Sequence, residues 1–306
     1  MTSTIGLQHI SKRYSKIEAV RDVSFELSEG ETVALVGHNG AGKTTLMKLM
    51  LGLIRPTSGR ISVLGDDPSA GEFSARRHVG YLPENVSFNA ALTGRETLVF
   101  YARLKRTPAA CGDALLDRVG LGHAADRRIG TYSKGMRQRL GLAQALLGAP
   151  RVLLLDEPTT GLDPILRQSF YEIVEELRGR GATVLLSSHA LTELEERAGR
   201  VIIMNRGRKV ADGTLDELRH IAQLPTKVRL KLTDSGVATT SAWLGSTANW
   251  RRLNGHTVEV DAFGDQKIEV LRRAVSVGPL VQDIEVAPPT FDELYTHFLR
   301  MEGTAA

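Results

Sequence analysis

The stretch GHNGAGKT, Gly37 to Thr44, constrains this chain more than any other. It fits G-x-x-x-x-G-K-[ST], follows the apolar run TVALVG and precedes a helical pattern from Thr44 to Leu53. That strand-loop-helix setting is where the spacing cradles phosphate. Gly37, Gly40 and Gly42, with His38, Asn39 and Ala41 between them, let the backbone wrap closely around an anion met by amide N–H groups and the helix start. Lys43 is then placed to reach the β- and γ-phosphates of a nucleotide, and Thr44, followed by Thr45, to ligate Mg²⁺. The plain alternative, a glycine-rich turn that binds nothing, lacks this strand and helix.

A second run, RVLLLDEP, carries two acids to the end of a buried strand. Asp156 there suits Mg²⁺, and Glu157 suits activation of a water for attack on a γ-phosphate. Many apolar strands simply end in acids, so this run gains its meaning from the loop. His189, after ATVLLSS, is a candidate γ-phosphate contact, although a lone histidine at a strand end is more often structural. Strands as apolar as these suit a parallel sheet covered on both faces, whose carboxyl edge is where α/β proteins place ligands.

The remaining pattern divides the chain in two. IGLQHISKRY and VRDVSFELSEGE alternate as half-buried strands, and RVIIMNRGRKVADG reads as a hairpin turning at Arg206-Gly207. After about Leu218 the order becomes strand, helix, strand, strand, helix, strand, through TKVRLKLTD, VATTSAWLG, ANWRRLN, HTVEVDAF, QKIEVLRRAVSV and VQDIEVA, with a final helix TFDELYTHFLRM. The expectation is an α/β phosphate-loop domain over 1–219 and a small α+β, ferredoxin-like domain over 220–306.

Composition removes several function classes. The single cysteine, Cys111, leaves no internal disulfide and fits a reducing compartment. Eight scattered histidines without CxxC or HxxxH spacing argue against metal storage. The start MTSTIGLQHI lacks the regions of a signal peptide, and no apolar run approaches the ~18 residues a bilayer span needs. A soluble chain is expected, reaching a membrane only through a partner. The formal charge of +4 suits a nucleotide, an anionic surface or nucleic acid alike.

One helix start is odd. In TYSKGMRQRL, Ser133 is a plausible N-cap, yet Gly135 weakens the first turn and Lys134 puts a cation at the positive end of the helix dipole. Such a start looks poorly capped within one chain and suited to an anion from elsewhere.

Together these motifs resemble the ATP-binding subunits of ABC transporters over about Ile5 to Arg219. GHNGAGKTT looks like the Walker A loop, LLLDEP like Walker B, and His189 falls at the switch histidine. The resemblance implies an ATPase fold with a helical subdomain, in which Tyr14 stacks on adenine and Asp163 of TGLD communicates between paired sites. YSKGM stands where the family usually has LSGGQ: Ser133 and Gly135 match, whereas Tyr132, Lys134 and Met136 do not. Glu84 of GYLPEN replaces a common glutamine, and an acid there still suits Mg²⁺.

The implied machine is a head-to-tail dimer holding two ATP, with Ser133, Lys134 and Gly135 of one copy facing the γ-phosphate in the other. A cytoplasmic helix of an integral membrane permease docks on the segment from Glu84 to Tyr101, where Phe88, Leu92, Leu98 and Phe100 are candidates. The expected location is therefore the cytoplasmic face of the cell membrane, bound through that subunit. GYLPENVSFNAALTGRETLVFYARLK, AADRRIGTYSKGMRQRLGLAQALLG and the added C-terminal domain resemble, more narrowly, the NosF-type ATPases of copper-processing transporters that mature nitrous oxide reductase. That system includes a periplasmic protein. Drug and polysaccharide exporters share many of these motifs. A soluble ABC ATPase acting on ribosomes or DNA is the other class, and the chain lacks the second module or long coiled coil usual there, so no nucleic acid is expected.

Overall fold

TVALV, the run before the glycine-rich loop, forms strand Thr32–Val36, buried at every residue. It is central in a six-stranded sheet whose spatial order is Val79–Leu82, Val152–Asp156, Thr183–Ser187, Thr32–Val36, Arg200–Asn205 and Arg208–Gly213. The first five run parallel. Their apolar, non-alternating sequences follow from being covered on both faces. Arg206 and Gly207 join the last two strands at φ 45° and 84°. Both values are left-handed, which the tightest hairpin turn requires.

This computed structural model describes residues 3–70, 74–195, 197–244, 249–264 and 266–304. The chain falls into two compact units, Met1–Asp212 and Gly213–Ala306. In the first, a three-stranded antiparallel sheet is ordered Ile17–Ser28, Ser3–Tyr14, Ser58–Val63. Helix Lys43–Met50 puts Leu46, Met47 and Met50 into one core with Ile10 and Val23 of that sheet and Leu35 and Leu154 of the large one. The loop is thus anchored from behind by its own helix. That helix stops at Met50 rather than running on to Leu53, because Gly52 turns left-handed (φ 66°) against the Pro68 carbonyl. Helices Gly94–Lys105, Ala110–Arg118 and Lys134–Leu146 form the helical part of this unit.

The second unit has a four-stranded antiparallel sheet ordered Asn249–Arg252, Thr257–Ala262, Thr226–Leu232, Val281–Ala287. Numbered along the chain, these strands stand 2-3-1-4, the arrangement a split βαβ produces. Val228, Leu230, Val258 and Val260 point to one face and pack with Val270 and Ala274 of helix Gln266–Ser276. Helix Leu215–Ala222, capped by a Thr214–Glu217 box, packs on the terminal helix Phe291–Thr304.

On the opposite face, Arg251, Glu259, Arg229 and Glu285 stand in register across all four strands. Glu259 accepts from Arg229 Nε at 2.9 Å and from Arg251 Nη2 at 2.5 Å, and the two arginines cover it to 2% exposure. Desolvation works against its charge, but the bonds from Arg229 and Arg251 outweigh it and hold the carboxyl below its usual range. Its stabilisation is therefore present above the unfolded carboxylate's pKa and lost as pH falls through the lowered native one. Glu259→Ala leaves both guanidinium groups without their shared acceptor. It is expected to cost about 2 kcal/mol, read as faster amide exchange along Thr257–Ala262 in the full chain. Unchanged protection would show that the row is surface decoration.

Candidate functional site

The loop from Gly37 to Thr45 wraps a cleft of about 920 Å³ at the carboxyl edge of the parallel strands. Two of its glycines are imposed by packing. A Cβ at Gly37 would lie 2.6 Å from the Met204 carbonyl, and one at Gly42, already at φ 106°, would lie 2.6 Å from that of Ala19. His38 fixes the loop laterally, through Nε2 to Asn205 Oδ1 at 2.8 Å and Nδ1 to the Asn39 carbonyl at 2.7 Å. Helix Lys43–Met50 begins with no side-chain cap and no acid in its first turn. Its first amides are orphan donors, suited to an anion.

Lys43 points back into this loop. Its Nζ donates to the carbonyls of Gly37 at 2.5 Å and His38 at 3.4 Å. Burial lowers its pKa, while the negative fields of Glu157, Asp156 and Glu84 oppose that shift. The charge is thus held by carbonyls and acids in the cleft.

The acids are fixed from a neighbouring strand. Thr44 Oγ1 donates to Asp156 Oδ2 at 2.8 Å, and Ser187 Oγ donates to Asp156 Oδ1 at 2.6 Å. Both carboxylate oxygens are therefore oriented. Glu157 sits at φ 50°, and its N–H donates to Ser187 Oγ at 3.0 Å and to the Ser187 carbonyl at 3.2 Å. A left-handed glutamate is strained, and this double bond to the next strand holds it. Its Oε2 meets His189 Nδ1 at 2.8 Å; Glu157 is largely buried while His189 is mostly exposed. Ser187, which ties both acids, is the residue the sequence reading missed. Its only signal was the polar end of VLLSS. The donors facing this corner, Thr44, Asp156 and Glu84, are all oxygens. That set suits a hard divalent cation, since Mg²⁺ takes one or two carboxylates and completes its shell with phosphate and water.

Other expected residues lie elsewhere. Tyr14 is not among the residues lining the cleft; its ring lies under the Lys12 ammonium at 5.1 Å, and its cross-strand neighbour Ile17 lines the cleft instead. Ser133, Lys134, Gly135 and Asp163 do not line it either. Asp163 caps helix Pro164–Gly179 by accepting from Leu166 N at 2.9 Å. Ser133 Oγ accepts from Met136 N at 3.2 Å, so the start of Lys134–Leu146 is capped by its own chain after all. The hydroxyl hydrogen remains free to donate. At Gly135 an added Cβ would meet nothing closer than 3.6 Å, so nothing in this chain requires glycine there. Tyr132, one of the departures from LSGGQ, is buried and donates to the Ala124 carbonyl at 2.7 Å, sealing the helical part.

In the segment expected to dock a partner, Leu98 is fully buried and belongs to the core. Phe100 and, beyond the segment, Leu104 are 53% and 62% exposed. Phe88 and Phe100 each pack edge-on to Tyr101, at 6.2 and 5.3 Å. Among the described residues, no helix is long and apolar enough to cross a membrane.

The family model for ABC transporter matches residues 20–160. A daunorubicin resistance ATP-binding protein of Streptomyces coeruleorubidus is 34% identical over 96% of this chain and 95% of its own length. A Nod factor export ATP-binding protein of Burkholderia thailandensis is 40% identical over 68% of this chain and 70% of its own. A solved ATP-binding subunit of an ABC transporter, 33% identical, superposes with a TM-score of 0.68 over 71% of this chain and 92% of that one. With the loop, the two acids and the parallel sheet in place, the chain belongs to the ATP-binding subunits of ABC transporters, ATPases that bind ATP with Mg²⁺.

Proposed function

We propose that this chain is the motor subunit of an ABC exporter, working as a head-to-tail pair that encloses two ATP and moves an integral membrane subunit. The observation that carries the pairing is an incomplete site. Lys43, Asp156, Glu157 and His189 share one cleft, whereas Ser133 and Gly135 lie outside it with a free hydroxyl hydrogen and a glycine that no close contact within the chain requires. A second copy supplies what the first lacks. Relatives named for drug resistance and Nod factor export favour an exported cargo. The copper-processing role in nitrous oxide reductase maturation, with its periplasmic protein, rests on sequence resemblance alone and assigns the same motor a different cargo.

In this reading Lys43 and the loop amides bind the β- and γ-phosphates, and Tyr14, the cross-strand neighbour of the cleft-lining Ile17, stacks on the base. Thr44, Asp156 and Glu84 hold Mg²⁺, which supplies Lewis-acid neutralisation of phosphate charge. Glu157 takes a proton from the attacking water as its oxygen bonds the γ-phosphorus and the bond to the β-γ bridging oxygen breaks. His189 orients the Glu157 carboxylate through Oε2, leaving Oε1 for the water. Asp163 passes the state of one site to the other.

In this reading the exposed Phe100–Leu104 patch is the docking face for the membrane subunit, and the chain works at the cytoplasmic face of the membrane. Phe100→Asp is expected to abolish co-purification with that subunit and its stimulation of ATPase activity, with basal turnover within about twofold. Stimulation that survives this change and Leu104→Asp would move the docking face elsewhere. Sedimentation with ribosomes instead of membranes would replace the exporter reading.

A further inference from the structure

Glu84 borders two spaces. Besides the cleft it lines a cavity of about 220 Å³ with Asn85, Val86, Lys134, Arg137 and Gln138. At Glu84 and Lys134 the chain departs from the family pattern with opposite charges, an acid for glutamine and a cation for glycine. Each departure is unfavourable alone. Glu84 adds a third carboxylate, beside Asp156 and Glu157, to the field at Lys43 in a cleft that receives a triphosphate. Lys134 stands at the first position of helix Lys134–Leu146, whose first turn contains no acid.

Both side chains are available. Among the described residues, neither makes a hydrogen bond or an ion pair. The other cation of the cavity is already engaged, since Arg137 Nη1 donates to the Tyr132 carbonyl at 2.5 Å. The Lys134 side chain rests along Gly161, with Cδ and Cε 3.6 Å and Nζ 3.9 Å from where a Cβ would stand. The chain is thereby held beside the cavity that both Lys134 and Glu84 line.

We propose that Lys134 is a positioning residue for its own chain's nucleotide cleft: across this cavity it neutralises Glu84, lowering the repulsion that acid exerts on an incoming triphosphate. The pairing also links the segment at Glu84 to the start of the helix that serves a second copy. This rests on the ATP-binding reading above and adds to it a role within one chain.

The test is a double-mutant cycle on ATP affinity, using Glu84→Gln and Lys134→Met, which keep side-chain length. A fluorescent ATP analogue is titrated in EDTA at low ionic strength, at concentrations where sedimentation shows a monomer. Lys134→Met is expected to weaken binding about fivefold, as a solvent-screened pair allows. In the Glu84→Gln background the same change is expected to have less than a twofold effect, and Lys134→Arg to bind like the native chain. A Lys134→Met penalty that persists in the Glu84→Gln background overturns the pairing, as does the absence of any penalty in the monomer, which would leave Lys134 acting only on a second copy. A native chain that binds no ATP even when Mg²⁺ replaces EDTA overturns the ATPase reading instead.

Discussion

Glu157→Gln is expected to leave ATP binding close to that of the native chain and to reduce kcat at least ~100-fold, about 2.7 kcal/mol of barrier. The substitution keeps the shape of the side chain and removes its capacity to take a proton. The structure gives reasons for the shape to survive. The left-handed backbone of Glu157 is held by Ser187 through its N–H, which the change does not touch. An amide oxygen still accepts from His189 Nδ1 where the carboxylate oxygen stood. Lys43→Ala behaves differently, because it removes a cation from among three acids and weakens binding and turnover together. Near-native turnover in the Glu157→Gln variant would take the base role away from this residue.

The parts of this site readable in the sequence are those with fixed spacing along the chain. Loop spacing between a buried strand and a helix demands Gly37 and Gly42 where the Met204 and Ala19 carbonyls leave no room for a Cβ. The order of elements after Leu218 allows few ways to bury Val228, Leu230, Val258 and Val260 on one face. What could not be read depends on which strands become neighbours. Ser187 orients both acids only because Thr183–Ser187 lies beside Val152–Asp156. Leu98 and Phe100 are equally apolar, and only the packing of helix Gly94–Lys105 buries one and exposes the other. The start at Ser133 misled in another way: the residue types suggested an unsatisfied helix end, whereas the serine satisfies one amide and keeps a donor to spare.

That spare donor leads to the second large effect. If Ser133 serves a second copy, Lys43→Ala breaks the loop half of a site and Ser133→Arg the signature half, and each homodimer is inactive. Mixing the two should restore function in part. A heterodimer has one site with both halves intact, where the unmodified loop of one chain faces the unmodified signature of the other, and one site with both broken. Random pairing leaves about a quarter of all sites complete, although strict coupling between sites would suppress turnover even there. Counting trapped nucleotide removes that ambiguity. With Glu157→Gln added to every chain, an isolated heterodimer is expected to hold one ATP and either parent none. Ser133→Arg also removes a helix cap, which costs about 1 kcal/mol. Melting of each parent therefore shows that the loss is not unfolding, and Ser133→Asn, which keeps a cap but no hydroxyl, is expected to fold normally and still fail to trap ATP. If Ser133 instead served the loop of its own chain, every chain in the mixture would carry a broken site. The heterodimer would then trap no more ATP than the parents, and the glycine at 135, which no close contact within the chain requires, would need another explanation.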